Sequence, residues 1–319
     1  MKKLALKVDV DTYRGTLRGV PRLVGMLRRH SAGATFLFSL GPDHTGRAIR
    51  RALRPGFLNK VSRTSVVSHY GLATLMYGVL LPGPDIGRRC ADILRRVREA
   101  GFETGVHTWD HVKWQDGVAR ADAEWTRRQM ELAVRRYTEI FGEPPRVHGA
   151  AGWQMNRHAY RLTQALGFAY CSDTRGTHPF IPVVEAEPIP VPQLPTTLPT
   201  LDELIGVGDL TEHTVADHLL RLTAAGDAGH VYTLHAELEG MKLASVLERL
   251  LTGWREQGYT LCSLGDLAAD LSMAALPQHH IDEGTIPGRS GMLALQGDEF
   301  LCGFEAEPPP KFRLPRDGV

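Results

Sequence analysis

His107 and His111 stand four residues apart in Gly105-Val106-His107-Thr108-Trp109-Asp110-His111, where an apolar run ends. On a helical turn, positions i and i+4 share a face with Cβ atoms about 5–6 Å apart, close enough for both imidazoles to reach one divalent ion. With 14 histidines in 319 residues such a pair also arises readily by chance, so the spacing alone favours two surface or satisfied histidines over a metal site. The stretch Leu4-Ala5-Leu6-Lys7-Val8-Asp9-Val10-Asp11 supplies what the pair lacks. Asp9 and Asp11 leave the same face of a strand, and two like charges side by side are costly unless a cation or a proton separates them. One strand-end aspartate commonly caps a turn. A metal held by Asp11, His107 and His111 would relieve the repulsion and leave Asp9 free as a base. Three protein ligands leave an open position, the mark of a catalytic site, where the pKa of a water falls towards about 7. Two imidazoles and a carboxylate suit zinc, manganese, cobalt and iron alike.

Alternating strand and helix patterns carry these residues. After the first strand, Val20, Leu23, Val24 and Leu27 form a helical stripe over 19–30, and Ala34-Thr35-Phe36-Leu37-Phe38-Ser39 reads as the next strand. A helix from Asp85 onward, a strand at 102–106, a helix over 121–141 stopped by Gly142 and Pro144-Pro145, and a short strand at 146–148 follow. Gly149-Ala150-Ala151-Gly152-Trp153 is a small-residue loop, succeeded by a helix over 156–166 and a strand over 168–171. Seven prolines in residues 179–199 predict an irregular loop wrapped over the fold. Beyond it come a helix over 211–225, strands at 230–234 and 259–262, and helices over 241–257 and 264–271. In a closed parallel barrel the working residues sit at the carboxyl ends of strands. Asp9, Asp11, His107, His111, Asp173 and His235 all fall at such ends.

Composition sets outer limits. A net charge of +1 and 43% hydrophobic residues describe an ordinary globular chain and argue against general nucleic-acid binding. The four cysteines, Cys90, Cys171, Cys262 and Cys302, form no C-x-x-C pair and read as packed thiols in a reducing compartment. The opening Met1-Lys2-Lys3-Leu4-Ala5-Leu6 is cut off by Lys7, Asp9 and Asp11 too soon for a signal peptide, so a cytoplasmic location is expected. One segment breaks the rhythm. Residues 46–63 hold six basic residues and no acid, and residues 64–84 hold no charge at all. This insertion over 46–84 combines cations with an apolar stretch, the ingredients of an interfacial anchor. Its expected membrane-facing residues are Arg47, Arg50, Arg51, Arg54, Leu75, Met76 and Leu80. The apolar run at 66–81 is too short and too interrupted for a membrane-crossing helix.

Asp9-Val10-Asp11, His107-Thr108-Trp109-Asp110-His111, Asp173 and Leu234-His235 resemble the successive motifs of the polysaccharide deacetylases of the nodulation-protein type. That resemblance implies an α/β fold, a distorted (β/α)7 barrel spanning residues 1–291 as one catalytic domain; residues 292–319 lie outside it and are expected to form a peripheral tail. It implies Asp9 as base, Asp11, His107 and His111 as ligands of one divalent ion (zinc, manganese or cobalt), and His235 as general acid tuned by Asp173. The arginine with which that family supports its base is replaced here by Trp153-Gln154, leaving Arg157 or Arg175 as candidates to orient Asp9. Further stretches, among them Ala150-Ala151-Gly152-Trp153, Ser172-Asp173-Thr174-Arg175-Gly176, Leu198-Pro199-Thr200 and His235-Ala236-Glu237-Leu238-Glu239-Gly240, resemble one branch. Its members deformylate 4-formamido-4-deoxy-L-arabinose linked to undecaprenyl phosphate, a step in lipid A modification and polymyxin resistance. Trp153, Arg175 and Glu237 would then contact substrate, and the protein would sit peripherally on the cytoplasmic face of the bacterial inner membrane, with no protein partner implied. Two alternatives remain: an N-deacetylase of acetamido sugars, and an inactive carbohydrate-binding barrel.

Overall fold

The computed structural model describes residues 2–52, 72–224, 229–289 and 291–301. Seven parallel strands, β1 (Lys3–Val10), β2 (Thr35–Ser39), β3 (Glu103–Thr108), β4 (Val147–His148), β5 (Tyr170–Cys171), β8 (His230–His235) and β9 (Thr260–Cys262), share one curled sheet, and β6 (Ile181–Val184), β7 (Glu187–Pro188), β10 (Gln278–Gly284) and β11 (Leu293–Glu299) form a second. In the main sheet the spatial order is β5-β4-β3-β2-β1-β8, with β9 also against β1. β1 is buried along nearly its whole length. Its period of two sends Leu4, Leu6, Val8 and Val10 into the core beneath the outer helices, and Ala5 into a separate inner cluster with Leu37, Val147 and Val231. Lys7 and Asp9 follow Ala5 on that inward face, so β1 lines the barrel with charge while its other face builds the core.

Helices cover the outside between successive strands. The longest among the described residues, Ala123–Phe141, starts where Asp122 caps the Trp125 amide and ends at Gly142, whose φ of 78° stops the helix without steric cost. Cys90, Cys171 and Cys262 are buried free thiols, and Cys302 lies outside the described residues. Among the described residues no helix is long and apolar enough to cross a membrane.

The proline-rich segment departs from expectation. It contains β6 and β7, which pair with each other, and β6 also pairs with β10. Pro182 lacks an N–H, yet its carbonyl accepts from the Ile189 amide at 2.9 Å, so proline joins the ladder as an acceptor alone. Residues 193–197 then bridge the gap in the main sheet: Leu194 N donates to Cys171 O and Thr197 N to Val231 O, joining β5 to β8. The result is the distorted (β/α)7 barrel.

The stretch from residue 292, expected to be peripheral, begins with a strand. β11 pairs antiparallel with β10, Leu293 and Ala294 are buried, and Arg175 N donates to Ala294 O at 3.0 Å. Alternating apolar residues in Leu293-Ala294-Leu295 meet the barrel there, which a reading for catalytic motifs passes over.

The insertion leaves and returns at one place, where Asp43 N donates to Pro84 O and Pro42 bridges Asp85. Its described parts are the helices Thr45–Ala52 and Leu72–Met76 and the turn after them. Of the expected membrane-facing residues, Arg47 is exposed and donates to Gly78 O, Leu75 and Met76 are half-buried, and Leu80 is 78% exposed. Arg54 and the side chains of Arg50 and Arg51 lie outside the described residues.

Candidate active site

β1 and β3 are separated by β2, and their carboxyl ends bring Asp11, His107 and His111 together. The helix His111–Gly117 begins directly after β3, capped by Asp110, whose side chain accepts from Lys113 N. His107 on the strand and His111 on the first helical turn therefore face one point, with ring centroids 5.4 Å apart. His107 Nδ1 donates to Gly149 O at 2.6 Å, which leaves its Nε2 as a bare acceptor. That nitrogen lies 3.2 Å from Asp11 Oδ1, and His111 Nε2 lies 3.5 Å from Asp11 Oδ2.

Whether these residues fit a cation follows from those atoms. Asp11 Oδ1 is buried without a hydrogen-bond partner, and potential ligand atoms of the three residues all lie within 4.8 Å of one another. Burial pushes the His111 imidazole down to about 4, against the pull of Asp11 and reinforced by His107, so it is neutral at pH 7 with a lone pair to give. Burial alone would raise the Asp11 carboxyl, but His111 and His107 hold it well below the usual carboxylate range. Converging lone pairs on a buried carboxylate and a neutral imidazole are the donor set a divalent ion takes, and the three residues fit one.

Asp9 sits one turn of the pleat behind, pairing in register with Leu37 on one side and His235 on the other. Neither Arg157 nor Arg175 orients it: Arg157 is paired with Glu185, and Arg175 with Glu203 at 2.6 Å. Lys7 Nζ lies 3.5 Å from Asp9 Oδ2 instead. The signal was present in the sequence, because Lys7 precedes Asp9 by two on the same inward face.

His235 ends β8 beside β1, its backbone amide bonded to Glu239 Oε2 at 2.9 Å. Asp173 does not tune it. Asp173 is wholly buried at the end of β5, accepting from His148 Nδ1 at 2.7 Å, from Ala150 N and from Gln193 Nε2. The carboxylate facing His235 Nδ1, at 3.8 Å, is that of Asp202. Burial would lower the His235 pKa, but Asp202 and Asp11 more than offset it and the value lies above the ordinary one. Asp202 occupies the first turn of the short helix Leu201–Leu204, whose capping box joins Thr200 and Glu203. Thr200-x-x-Glu203 was legible as a helix start, and with it the acid at its N-terminus. Arg289, which pairs with both Asp202 and Glu203, carried no such signal.

Trp153, Arg175 and Glu237, expected to touch substrate, are structural instead. The Trp153 ring is 1% exposed and has Lys7, Arg175 and Arg289 within 5.0 Å of its centre, leaving no free face for a sugar. Arg175 donates to Glu203, Leu198 O and Thr196 O. Glu237 Oε1 accepts from Asp11 N, Thr12 N and Thr12 Oγ1, and burial and the nearby Asp11 raise its carboxyl to about 8. It clamps the loop that carries Asp11. A Cβ at Gly15 would overlap that same carboxylate, so only glycine lets the clamp close.

At the mouth of a parallel barrel, a cation cradle flanked by a separate carboxylate and a separate imidazole is the equipment of an amide hydrolase, an enzyme acting on a carbon–nitrogen bond. The polysaccharide deacetylase profile matches residues 2–171, and the chain belongs to that family. It is 37% identical to a protein of Shewanella sediminis (strain HAW-EB3), over 92% of this chain and 94% of that one, named a probable 4-deoxy-4-formamido-L-arabinose-phosphoundecaprenol deformylase ArnD. A protein of Wigglesworthia glossinidia brevipalpis with the same name is 33% identical over 88% of this chain and 98% of its own. A crystal structure from Mycobacterium smegmatis assigned to the polysaccharide deacetylases superposes with a TM-score of 0.60 at 17% identity, covering 89% of this chain and 96% of that one, and establishes likeness of fold.

Proposed function

We propose that this protein is a divalent-metal-dependent deformylase that hydrolyses the formamide of 4-formamido-4-deoxy-L-arabinose carried on undecaprenyl phosphate, releasing formate and the free amine. The observation that carries the reaction type is the convergence of Asp11, His107 and His111 beside Asp9 and His235. The substrate rests on two relatives, both named for it, that match this chain over nearly their whole lengths.

An ion on the three ligands would supply Lewis acidity, lowering the pKa of the attacking water and polarising the formyl carbonyl. Asp9 takes the proton of that water through Oδ1, which is buried and otherwise unbonded. The amide nitrogen departs only when protonated, and His235, whose protonated form the facing Asp202 carboxylate favours, provides that proton. Acid and base thus lie on adjacent strands, in register across β1 and β8. Incubation with the lipid-linked formamido sugar, followed by mass spectrometry, should show loss of the formyl group, with an acetamido analogue left intact. Deacetylation of the analogue with the formamide untouched would overturn the substrate reading in favour of an acetamido-sugar deacetylase.

A lipid-linked substrate requires the enzyme to work at a membrane, and we place it peripherally on the cytoplasmic face of the inner membrane. Val79, Leu80 and Leu81 are exposed on one turn, and Leu17 is exposed close to Asp11 in sequence. The turn leans on His44, which bonds to Asp110 between the two ligand histidines, so the exposed apolar residues lie at the site's end of the barrel. Replacing Val79, Leu80 and Leu81 by serine should cut sedimentation with anionic phosphatidylglycerol vesicles and leave hydrolysis of a short-chain soluble analogue near wild type. Unchanged sedimentation, or equal loss on the soluble analogue, would make the turn part of the fold's support.

A further inference from the structure

Resting on the reading of Asp9 as the proton acceptor, we propose that Lys7 is its positioning residue: it holds Asp9 Oδ2 from inside the barrel and leaves Oδ1 unbonded beside the ring of His107. Lysines are almost never fully buried, because the charge must leave water, and they persist there only when a carboxylate and hydrogen-bond acceptors compensate. Lys7 has no solvent exposure. Its Nζ lies 3.5 Å from Asp9 Oδ2, donates to Ser172 O at 2.9 Å and stands 5.0 Å from the centre of the Trp153 ring. Ser172 follows β5 and Trp153 ends the turn after β4, so two elements other than β1 determine where the ammonium sits. A Cβ at Gly149 would stand 2.3 Å from Leu37 Cδ1 and 3.1 Å from Lys7 Cε, so a side chain there would meet Leu37 first and crowd the lysine stem as well.

The other carboxylate oxygen is treated differently. Asp9 Oδ1 is buried, makes no hydrogen bond and lies 3.8 Å from the ring nitrogen through which His107 is held by Gly149 O. One oxygen is held by Lys7 and the other stands bare beside the ring of His107, unbonded and free to accept a proton. Among the described residues no arginine shares in the tether, since Arg157 and Arg175 are engaged by Glu185 and Glu203. Because residues i and i+2 share one face of a strand, β1 alone carries both the base and the residue that aims it, with no loop between them to drift.

A double-mutant cycle on the full-length metal-loaded enzyme tests the role, with formate release from a short-chain formamido-sugar analogue as the readout. Lys7→Met should lower kcat about 10²-fold, the size of effect produced by slight misplacement of a reacting group, while KM moves by no more than about twofold and the bound metal is unchanged. Lys7→Arg should restore much of the loss, since it returns the charge. In an Asp9→Asn background, Lys7→Met should cost nothing further, because a residue that acts through Asp9 has nothing left to aim. The paired variant also removes both buried charges, which guards against unfolding of the single variant. A full additional loss of kcat in the Asp9→Asn background, or a Lys7→Arg enzyme as impaired as Lys7→Met, would overturn the positioning role. Near-normal turnover by Asp9→Asn alone would instead overturn the assignment of the base, a separate outcome.

Discussion

Replacing His111 by alanine should strip the divalent ion from the protein and stop formate release in the same sample. His111 and His107 each face a different oxygen of Asp11, so removing one imidazole leaves a carboxylate and a single nitrogen, too few donors to keep a divalent ion at working concentration. Loss of the ion removes several kcal/mol of transition-state stabilisation, at least about 10³-fold in kcat at 1.36 kcal/mol per decade. Far-ultraviolet circular dichroism should hardly change, because His111 opens a helix at the barrel mouth and is absent from the packed core. Acid should act in the same way on the wild type. His111 stays neutral down to about 4, so protons begin to displace the ion only as pH falls towards that value, and metal content and activity should decline together. Full metal occupancy with normal turnover in His111→Ala would show that the cradle lies elsewhere.

The parts of this site that could be read in the sequence are those set by local geometry. Period two turns Asp9 and Asp11 to one side of the chain at the end of β1, and the four-residue spacing of His107 and His111 allows one ion between them without by itself requiring it. The structure brings Asp11, His107 and His111 into one cluster, with His107 on β3 and His111 on the first turn of the helix after it, where the spacing predicts one helical turn. The partner of His235 is a different kind of fact. Asp173 and Asp202 both follow turn-forming residues, and which of them reaches His235 depends on how residues 193–197 cross from β5 to β8 before the chain turns into the helix Leu201–Leu204. Nothing within a few residues of either aspartate encodes that crossing. The same limit explains the second sheet. β6 pairs with β10 across nearly a hundred residues, and the prolines that argue against a strand locally are tolerated because neighbouring amides donate to their carbonyls. Trp153, expected to contact substrate, is instead buried. Its ring is closed off by three cations drawn from β1, the turn after β5 and the segment after β10, a convergence visible only in three dimensions.

His235→Ala should retain metal and fold yet lose about 10²–10⁴-fold in kcat, the usual worth of a positioned general acid. An amide nitrogen cannot leave as an anion, so no amount of carbonyl activation compensates for the missing proton. The sharper test lies in the pH profile of wild type and of Asp202→Asn. In the folded enzyme the His235 pKa is raised: burial pulls it down, while the Asp202 and Asp11 carboxylates pull it up and prevail. A raised pKa keeps the imidazolium present to higher pH, and the alkaline limb of kcat falls as pH climbs through it. Asp202→Asn removes the largest of the raising influences and leaves the burial, so the alkaline limb should move to lower pH, with the metal retained because Asp202 touches none of the three ligands. Asp173→Asn, whatever its effect on the level of activity, should leave the limb where it is, since that carboxylate is bonded to His148 at the end of β5. A limb that follows Asp173 and ignores Asp202 would assign the acid to a different pair.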